Sequence, residues 1–465
     1  MSKVYIKNAK AIVSCDSDNT LYWDHDILID QGQILKIDKV IPPEDTKGAQ
    51  VIDATDKFVY PGLINTHHHF FQTFARNLIS VDLPNINLAQ WLTAVYSIFR
   101  LIDTDVVYYA SLAAMADLVK HGCTCAFDHQ YCYTPKTGMD PIDRQMEAAK
   151  LVGIRLHAGR GTNTLPLEEG STMPPEMLET TDSYLKDCER LIKLYHDPNP
   201  FSMNQIVMAP CQPINCYIET FTETVSMARA NGVYMHTHLG EGENEAMVNR
   251  WGKRTLQWCE DIDFIGPDVW FAHGFEVLPE EYEVLGKHSS GISHCSAPAA
   301  IGGNNILNMI ELDKAGVCVS LGCDGCASND SSSLLDTIRI AYIMQAHYSR
   351  VRGGCVTPYD ILKMATVNGA KTLGRPDLGS LEVGKAADLF MLDAGALDMA
   401  GALHDPKNII AKIGVTGPVY LTMVNGKTIY KEGEVVNIDE AAIAEKSEEV
   451  CKRVLRDHSD LYKVH

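Results

Sequence analysis

No uninterrupted apolar run in this 465-residue chain approaches the ~20 residues that cross a bilayer. The opening MSKVYIKNAK has no apolar h-region either, so the expectation is a cytoplasmic protein with no membrane partner. Basic charge is also short: 40 Lys and Arg against 60 Asp and Glu leave a net charge of -20 and a pI near 5.2. Such a chain is poorly suited to phosphate backbones or anionic bilayers, and a nucleic acid polymer is not an expected partner. Paired cysteine spacing is missing too. Fourteen cysteines are scattered, several inside apolar strand-like runs (Cys125, Cys318), with no repeated short spacing of a disulfide framework or a structural zinc cluster. Buried, reduced thiols are expected, while CTC (Cys123, Cys125) and CDGC (Cys323, Cys326) stay open as redox or metal pairs.

What the chain does contain is one unit repeated. A short β-branched or apolar run ends in a polar residue, a loop follows, and then a stretch with helical period. The strand candidates are 57-65 before His67, 123-128 ending at Asp128, 153-157 ending at His157, 205-211 before Gln212, 232-238 ending at His238, 268-273 ending at His273, 290-294 ending at His294, and 316-323 before Asp324. Between them lie stretches such as DTDVVYYASLAAMADLVKHG, where Leu112, Met115 and Val119 share a face and Gly122 ends the run. Eight such units predict an α/β protein built on a parallel (β/α)8 TIM barrel, whose chemistry belongs at the C-terminal ends of the strands.

The ends have a different period. KNAKAIVSC, DILIDQGQILKID and VIDATDKFV alternate like antiparallel strands, as do KAADLFMLD and VYLTMVNGKTIYKEGEVV with its Asn425-Gly426 hairpin signal. A small β-sandwich from residues 1-58 and 376-437 is predicted beside a barrel of residues 59-375, with a charged helical extension over 438-465; 465 residues exceed what one core usually serves. The loop 160-180, rich in Pro, Gly and Thr, reads equally as a mobile lid or a rigid connection.

The run NTHHHFFQT poses the chemical question. Strand alternation sends His67 and His69 one way and His68 the other, so two of the three can share a metal. Adding His238 after the fifth strand and Asp324 after the eighth gives three imidazoles and a carboxylate. That set suits one divalent ion, Zn2+ or Fe2+, with a water completing the shell. Such an ion lowers the pKa of the water toward neutrality. Glu241 follows His238 by three residues, near enough to swing back as a proton carrier without ligating. Glu243 and Glu245 read as solvent-facing acids at a helix start, and His236 as a core or supporting residue behind the ligands. His273, ending an apolar strand, is open between a proton-relay role and packing; His294 is open between substrate binding and support of a ligand. Asp324 has a helix-capping reading, but Ser328, Asn329 and Asp330 nearby can take the cap. A two-metal barrel needs a bridging group, often a modified lysine, at the end of the fourth strand, and QIVMAPCQ has no lysine, so one metal is expected.

In this order PGLINTHHH, HTHLGE, AHG and GCDG resemble the amidohydrolase superfamily, in its mononuclear aminohydrolase branch, over about residues 3 to 437. That branch deaminates purines, pyrimidines, pterins and triazines. The resemblance implies that His67, His69, His238 and Asp324 are the metal ligands, that Asp324 also takes a proton from the attacking water, and that Glu241 and His273 are the other catalytic groups. It places Gln72 near the substrate. One segment departs from the wider pattern: HCSAPAAIGG stands where many members read HCP followed by Ser-Asn.

The expected activity is hydrolytic removal of an amino or alkylamino group from a hydroxy- or oxo-substituted N-heteroaromatic ring, a small-molecule substrate. Gln72, Trp91, Arg160, Gln212 and His294 are the substrate-binding candidates, each with a structural alternative. Hydrolysis of a cyclic amide or imide is the alternative chemistry, and a silent barrel kept as a binding scaffold the alternative class. Large helix-coated barrels often pair, so a homodimer is the expected assembly.

Overall fold

The computed structural model describes residues 3–77 and 88–456. Its centre is a barrel of eight parallel strands: Leu63–Asn65, Cys123–Gln130, Arg155–Arg160, Asn204–Met208, Tyr234–Leu239, Val269–His273, Gly291–His294 and Val319–Leu321. Each pairs with the next in chain order. The first meets the eighth where the Thr66 N–H donates to the Leu321 carbonyl at 3.1 Å and the Asp324 N–H donates to the His67 carbonyl at 3.0 Å. Strands buried on both faces read as continuous apolar runs, and Cys123–Gln130 and Arg155–Arg160 are buried at every position.

The helices outside the barrel start and stop where local chemistry directs. Thr104–Lys120 begins at Asp103, whose carboxylate accepts the Val106 N–H at 3.0 Å, and it covers the barrel with Leu112, Met115 and Val119 buried.

Both chain ends meet in one nine-stranded sheet. Five strands come from the first 61 residues and four from Leu389–Asp393, Leu421–Val424, Lys427–Lys431 and Glu434–Val435. Antiparallel pairing of Lys57–Pro61 with Leu389–Asp393 joins the two ends. Asn425 and Gly426 turn the hairpin at φ 48° and 70°, the left-handed pair that a two-residue turn requires. Arg155 ties this sheet to the barrel, with bidentate bonds to Asp388 at 2.7 and 2.9 Å and both side chains buried.

The expected single strand 57-65 is two strands in two sheets. The chain leaves the end sheet after Pro61 and enters the barrel at Leu63. Gly62 makes the crossing against Thr124, and a Cβ there would lie 2.1 Å from its Oγ1. The helix expected over 438-465 runs Glu440–Leu455, tied to Thr104–Lys120 by Lys120–Glu440 and to its cap by Arg453–Asp103; residues 457–465 of that expectation lie outside the described residues. Loop 160-180 is pinned along its length. Its Asn163 side chain donates to the Tyr131 carbonyl at 3.0 Å, Thr164 and Leu165 donate to the Asn215 carbonyl at 3.0 Å, and Met173 and Met177 are fully buried.

Candidate metal centre and active site

The first barrel strand ends at Asn65, yet the alternation carries on through the histidines. His68 turns outward, its Nε2 2.9 Å from Ser332 Oγ. His67 and His69 turn inward, where Nε2 of each lies 3.5 and 3.3 Å from Asp324 Oδ1. His238, near the end of the fifth strand, brings its Nε2 to 3.2 Å from that of His69. All are buried.

The second nitrogen of each ring fixes its tautomer. His69 Nδ1 donates to the His129 carbonyl at 2.8 Å and His238 Nδ1 to the Cys211 carbonyl at 2.6 Å. His236 Nδ1 donates to the Trp270 carbonyl at 2.9 Å, which leaves its Nε2 to accept from His67 Nδ1 at 3.0 Å. All three inward Nε2 atoms are therefore lone-pair donors. Burial, and then mutual repulsion with neighbouring imidazoles, holds His67 and His238 well below the usual pKa, so the neutral ligand form prevails.

Bare lone pairs 3.2 Å apart repel one another, and His67 Nε2 has no hydrogen-bond partner. A divalent cation resolves both features. Ligand atoms at about 2.0–2.1 Å from a tetrahedral zinc stand roughly 3.3 Å apart, close to the 3.2, 3.3 and 3.5 Å separations found here. The residues fit a bound metal ion.

Two flanking groups complete the cluster. His273 ends the sixth strand with φ 72° and Asp324 follows the eighth with φ 63°, conformations that non-glycine residues adopt at a cost and that collect at functional sites. Asp324 is held by the Gly325 N–H on Oδ1 at 2.7 Å and by Ser328 Oγ on Oδ2 at 2.9 Å. The helix cap is not taken by Ser328, Asn329 or Asp330, as the sequence suggested, but by Ser333, which accepts the Asp336 N–H. His273 stacks on His238 with centroids 5.3 Å apart and a 9° interplanar angle, and its Nε2 lies 3.4 Å from Glu241 Oε1. Burial drives the His273 pKa down to about 4 against the opposing charge of Asp324. Burial also drives the Glu241 carboxyl well above its usual range, with Asp324 and Glu243 adding to the shift.

A cavity of about 20 Å³ opens over this cluster, lined beyond His69, His238 and Asp324 by Gln72, Trp91, Leu92, Tyr96, Tyr131, Cys211, Gln212 and Glu241. Of the substrate-binding candidates, Gln72, Trp91 and Gln212 reach it. Gln72 accepts the Ala327 N–H at 3.3 Å and points its amide nitrogen at the Tyr131 hydroxyl, 3.4 Å away. Arg160 does not reach it: its guanidinium is fully buried against Glu179 and Asp187, each at 2.7 Å, and lies over the Tyr133 ring. With its donors engaged there and on the Gly161 carbonyl, it anchors the far end of loop 160-180. His294 also lies off the cavity lining, buried beside Phe275 with both ring nitrogens unpartnered.

Three residues were missed. Strand two continues two residues past Asp128, so His129 joins the imidazole cluster, with a ring nitrogen within 4.8 Å of those of His67, His69 and His238. Parity with Phe127 could have found it. Tyr131 and Tyr96 close the cavity. Glu243 is not a solvent-facing acid, since it is only 2% exposed.

The amidohydrolase family model matches residues 58–429. Hydroxydechloroatrazine ethylaminohydrolase of Pseudomonas sp. (strain ADP) is 45% identical over 452 residues, covering 96% of this chain and 94% of that protein. 8-Oxoguanine deaminase of Pseudomonas aeruginosa is 32% identical, covering 95% of this chain and 97% of that one. Among solved structures, atrazine chlorohydrolase from Arthrobacter aurescens, complexed with zinc, superposes with a TM-score of 0.90 at 28% identity over 96% of this chain and all of that one.

Proposed function

The chain belongs to the amidohydrolase family, and from that premise we propose that it is a single-metal aminohydrolase. Its reaction is the hydrolytic displacement of an amino or alkylamino group from an N-heteroaromatic ring that already carries a hydroxy or oxo group. The ring is a hydroxytriazine of the hydroxyatrazine kind, or a guanine-type purine, pterin or pyrimidine. The observation that carries this reading is the contact of Glu241 with His273 at 3.4 Å, beside His69, whose Nε2 lies 3.2 Å from His238 Nε2 and 3.3 Å from Asp324 Oδ1.

His67, His69, His238 and Asp324 would hold one divalent ion, Zn2+ by preference and Fe2+ as the alternative. When bound there, such an ion lowers the pKa of water toward neutrality and supplies a hydroxide nucleophile. Glu241, kept protonated by its surroundings, gives its proton to a ring nitrogen and makes the adjacent carbon electrophilic. His273 and Asp324 orient the attacking water and take its proton. The proton taken from the water passes to the leaving nitrogen, the tetrahedral ring carbon expels it as free amine, and as the ring carbonyl forms the hydroxyl proton goes to Glu241 and restores its acid form. Gln72 and Gln212 offer amides to the ring's polar edge, while Tyr96, Tyr131 and Trp91 offer aromatic faces.

The cavity of about 20 Å³ has room for little more than one water. The helix Leu88–Phe99 brings Trp91, Leu92 and Tyr96 to the lining of this cavity. The same reading has the enzyme working in the cytoplasm as a homodimer. Its fourteen cysteines are all unpaired, in keeping with a reducing compartment, and no described helix is long and apolar enough to cross a membrane.

The test is an amine-release screen of zinc-loaded protein against guanine, 8-oxoguanine, isocytosine, isoxanthopterin and N-alkylated hydroxytriazines. Stoichiometric ammonia or alkylamine is the expected product. Ring opening without free amine would replace this reading with cyclic amide hydrolysis.

A further inference from the structure

One buried carboxylate beside the site takes no part in these steps. Glu243 lies two residues beyond Glu241, is 2% exposed and is absent from the cavity lining. Its Oε1 accepts the Gly240 N–H at 2.6 Å and its Oε2 accepts the Glu241 N–H at 2.7 Å, with the Gln212 amide 3.5 Å from Oε2. Two successive backbone N–H groups turned into one concavity form an anion nest. Here the anion comes from the same chain, folded back across GEGE by Gly240 at φ 63° and Gly242 at φ 122°.

The other side of that peptide is held as well. The Gly240 carbonyl accepts the Glu276 N–H at 2.9 Å, and the Gly274 N–H donates to the Leu239 carbonyl at 2.8 Å. Gly240 is thus clamped between Glu243 and the turn that follows His273. A Cβ at Gly240 would lie 3.2 Å from the Glu276 nitrogen, in a backbone conformation that favours glycine. A buried carboxylate is costly unless donors satisfy it, and the two short bonds here come from the backbone of Glu241 and of the residue before it, the Gln212 amide being a longer third.

We propose that Glu243 is a positioning residue: its carboxylate fixes the Gly240–Glu241 backbone, and through it the distance from the Glu241 carboxyl to His273 and the substrate ring. The inference rests on the role given above to Glu241 in amine displacement. Glu243 itself moves no proton.

Glu243→Gln keeps the shape but offers one acceptor oxygen where two N–H groups need one each. Hydrogen exchange at the Gly240 and Glu241 amides, followed by mass spectrometry or NMR, should quicken in E243Q while metal content stays at the wild-type value. With the substrate found by the amine-release screen, kcat should fall roughly 10- to 100-fold with KM little changed, as misplacing a reacting group does. In a double-mutant cycle, E241Q/E243Q should be no slower than E241Q alone, because Glu243 acts only through Glu241. Should E243Q not fold, Glu243→Asp keeps the charge, shortens the reach and is read the same way. Unchanged amide exchange would overturn the proposal, as would losses that multiply in the double variant. The exchange measurement needs no substrate, so a wild type that releases no amine would refute the proposed reaction while still deciding whether Glu243 holds this loop.

Discussion

His67 donates its Nδ1 proton to Nε2 of His236 at 3.0 Å, and His236 passes its own Nδ1 proton to the Trp270 carbonyl at 2.9 Å. This two-step chain decides that the inward nitrogen of His67 carries a lone pair, and its acceptor His236 lies outside the proposed ligand set.

Removing the acceptor should therefore weaken metal binding without touching a ligand. His236→Phe preserves the ring volume but leaves His67 Nδ1–H unpartnered. Metal affinity, measured by competition with a chromogenic chelator, should fall roughly 10- to 100-fold. An affinity equal to wild type would show that His236 is only packing.

Glu241→Gln should separate metal binding from turnover. The amide keeps the size but carries no transferable proton, so zinc content should stay at one per chain while kcat falls roughly 100- to 10,000-fold. Atomic absorption and a rate assay on one preparation check both halves, and a metal-replete variant with wild-type kcat would refute the assigned role.

Arg160 should prove structural. Its guanidinium is buried between Glu179 and Asp187, so Arg160→Met strands two carboxylates and should cost about 3–5 kcal/mol of stability. Denaturant titration checks the loss. The KM of the remaining folded enzyme should stay near wild type; a large rise in KM with intact stability would return Arg160 to the substrate.

Asp128 should make stability fall with rising pH. Its carboxyl accepts the Phe70 N–H at 2.5 Å and the Gln145 amide at 2.6 Å, and burial pushes its pKa up to about 7 from 3.8. Between those values the folded state keeps a proton that the unfolded chain has released. The contribution is thus fully present below pH 3.8 and is lost as pH rises toward about 7. Asp128→Asn removes the titration, so the variant should gain on wild type in melting temperature between pH 5 and 8. A constant difference across that range would contradict the assignment.

The barrel and the approach of His67, His69, His238 and Asp324 to one another were legible because both follow from local rules that tertiary contacts do not override. Strand parity separates His67 and His69 from His68, and a polar residue ends or soon follows each of the eight barrel strands. What stayed hidden depends on partners far along the chain. Arg160 sits at a strand end facing the right way, but Asp187 and Glu179, 27 and 19 residues on, take its charge. Glu243 follows the pattern of an acid at a helix start, and only the fold-back at Gly240 and Gly242 turns it inward. His129 was lost to a strand end placed two residues early. The run from 57 to 65 has one continuous apolar pattern, and its division between two sheets at Gly62 depends on the approach of Thr124.

The central claim is one cation shared by four distant residues, and anomalous diffraction at the zinc edge from zinc-loaded crystals tests it most directly. The account predicts a single site per chain, with Nε2 of His67, His69 and His238 and a carboxylate oxygen of Asp324 each about 2.0–2.2 Å from the ion. A second strong site, or an ion held by another set of side chains, would contradict it.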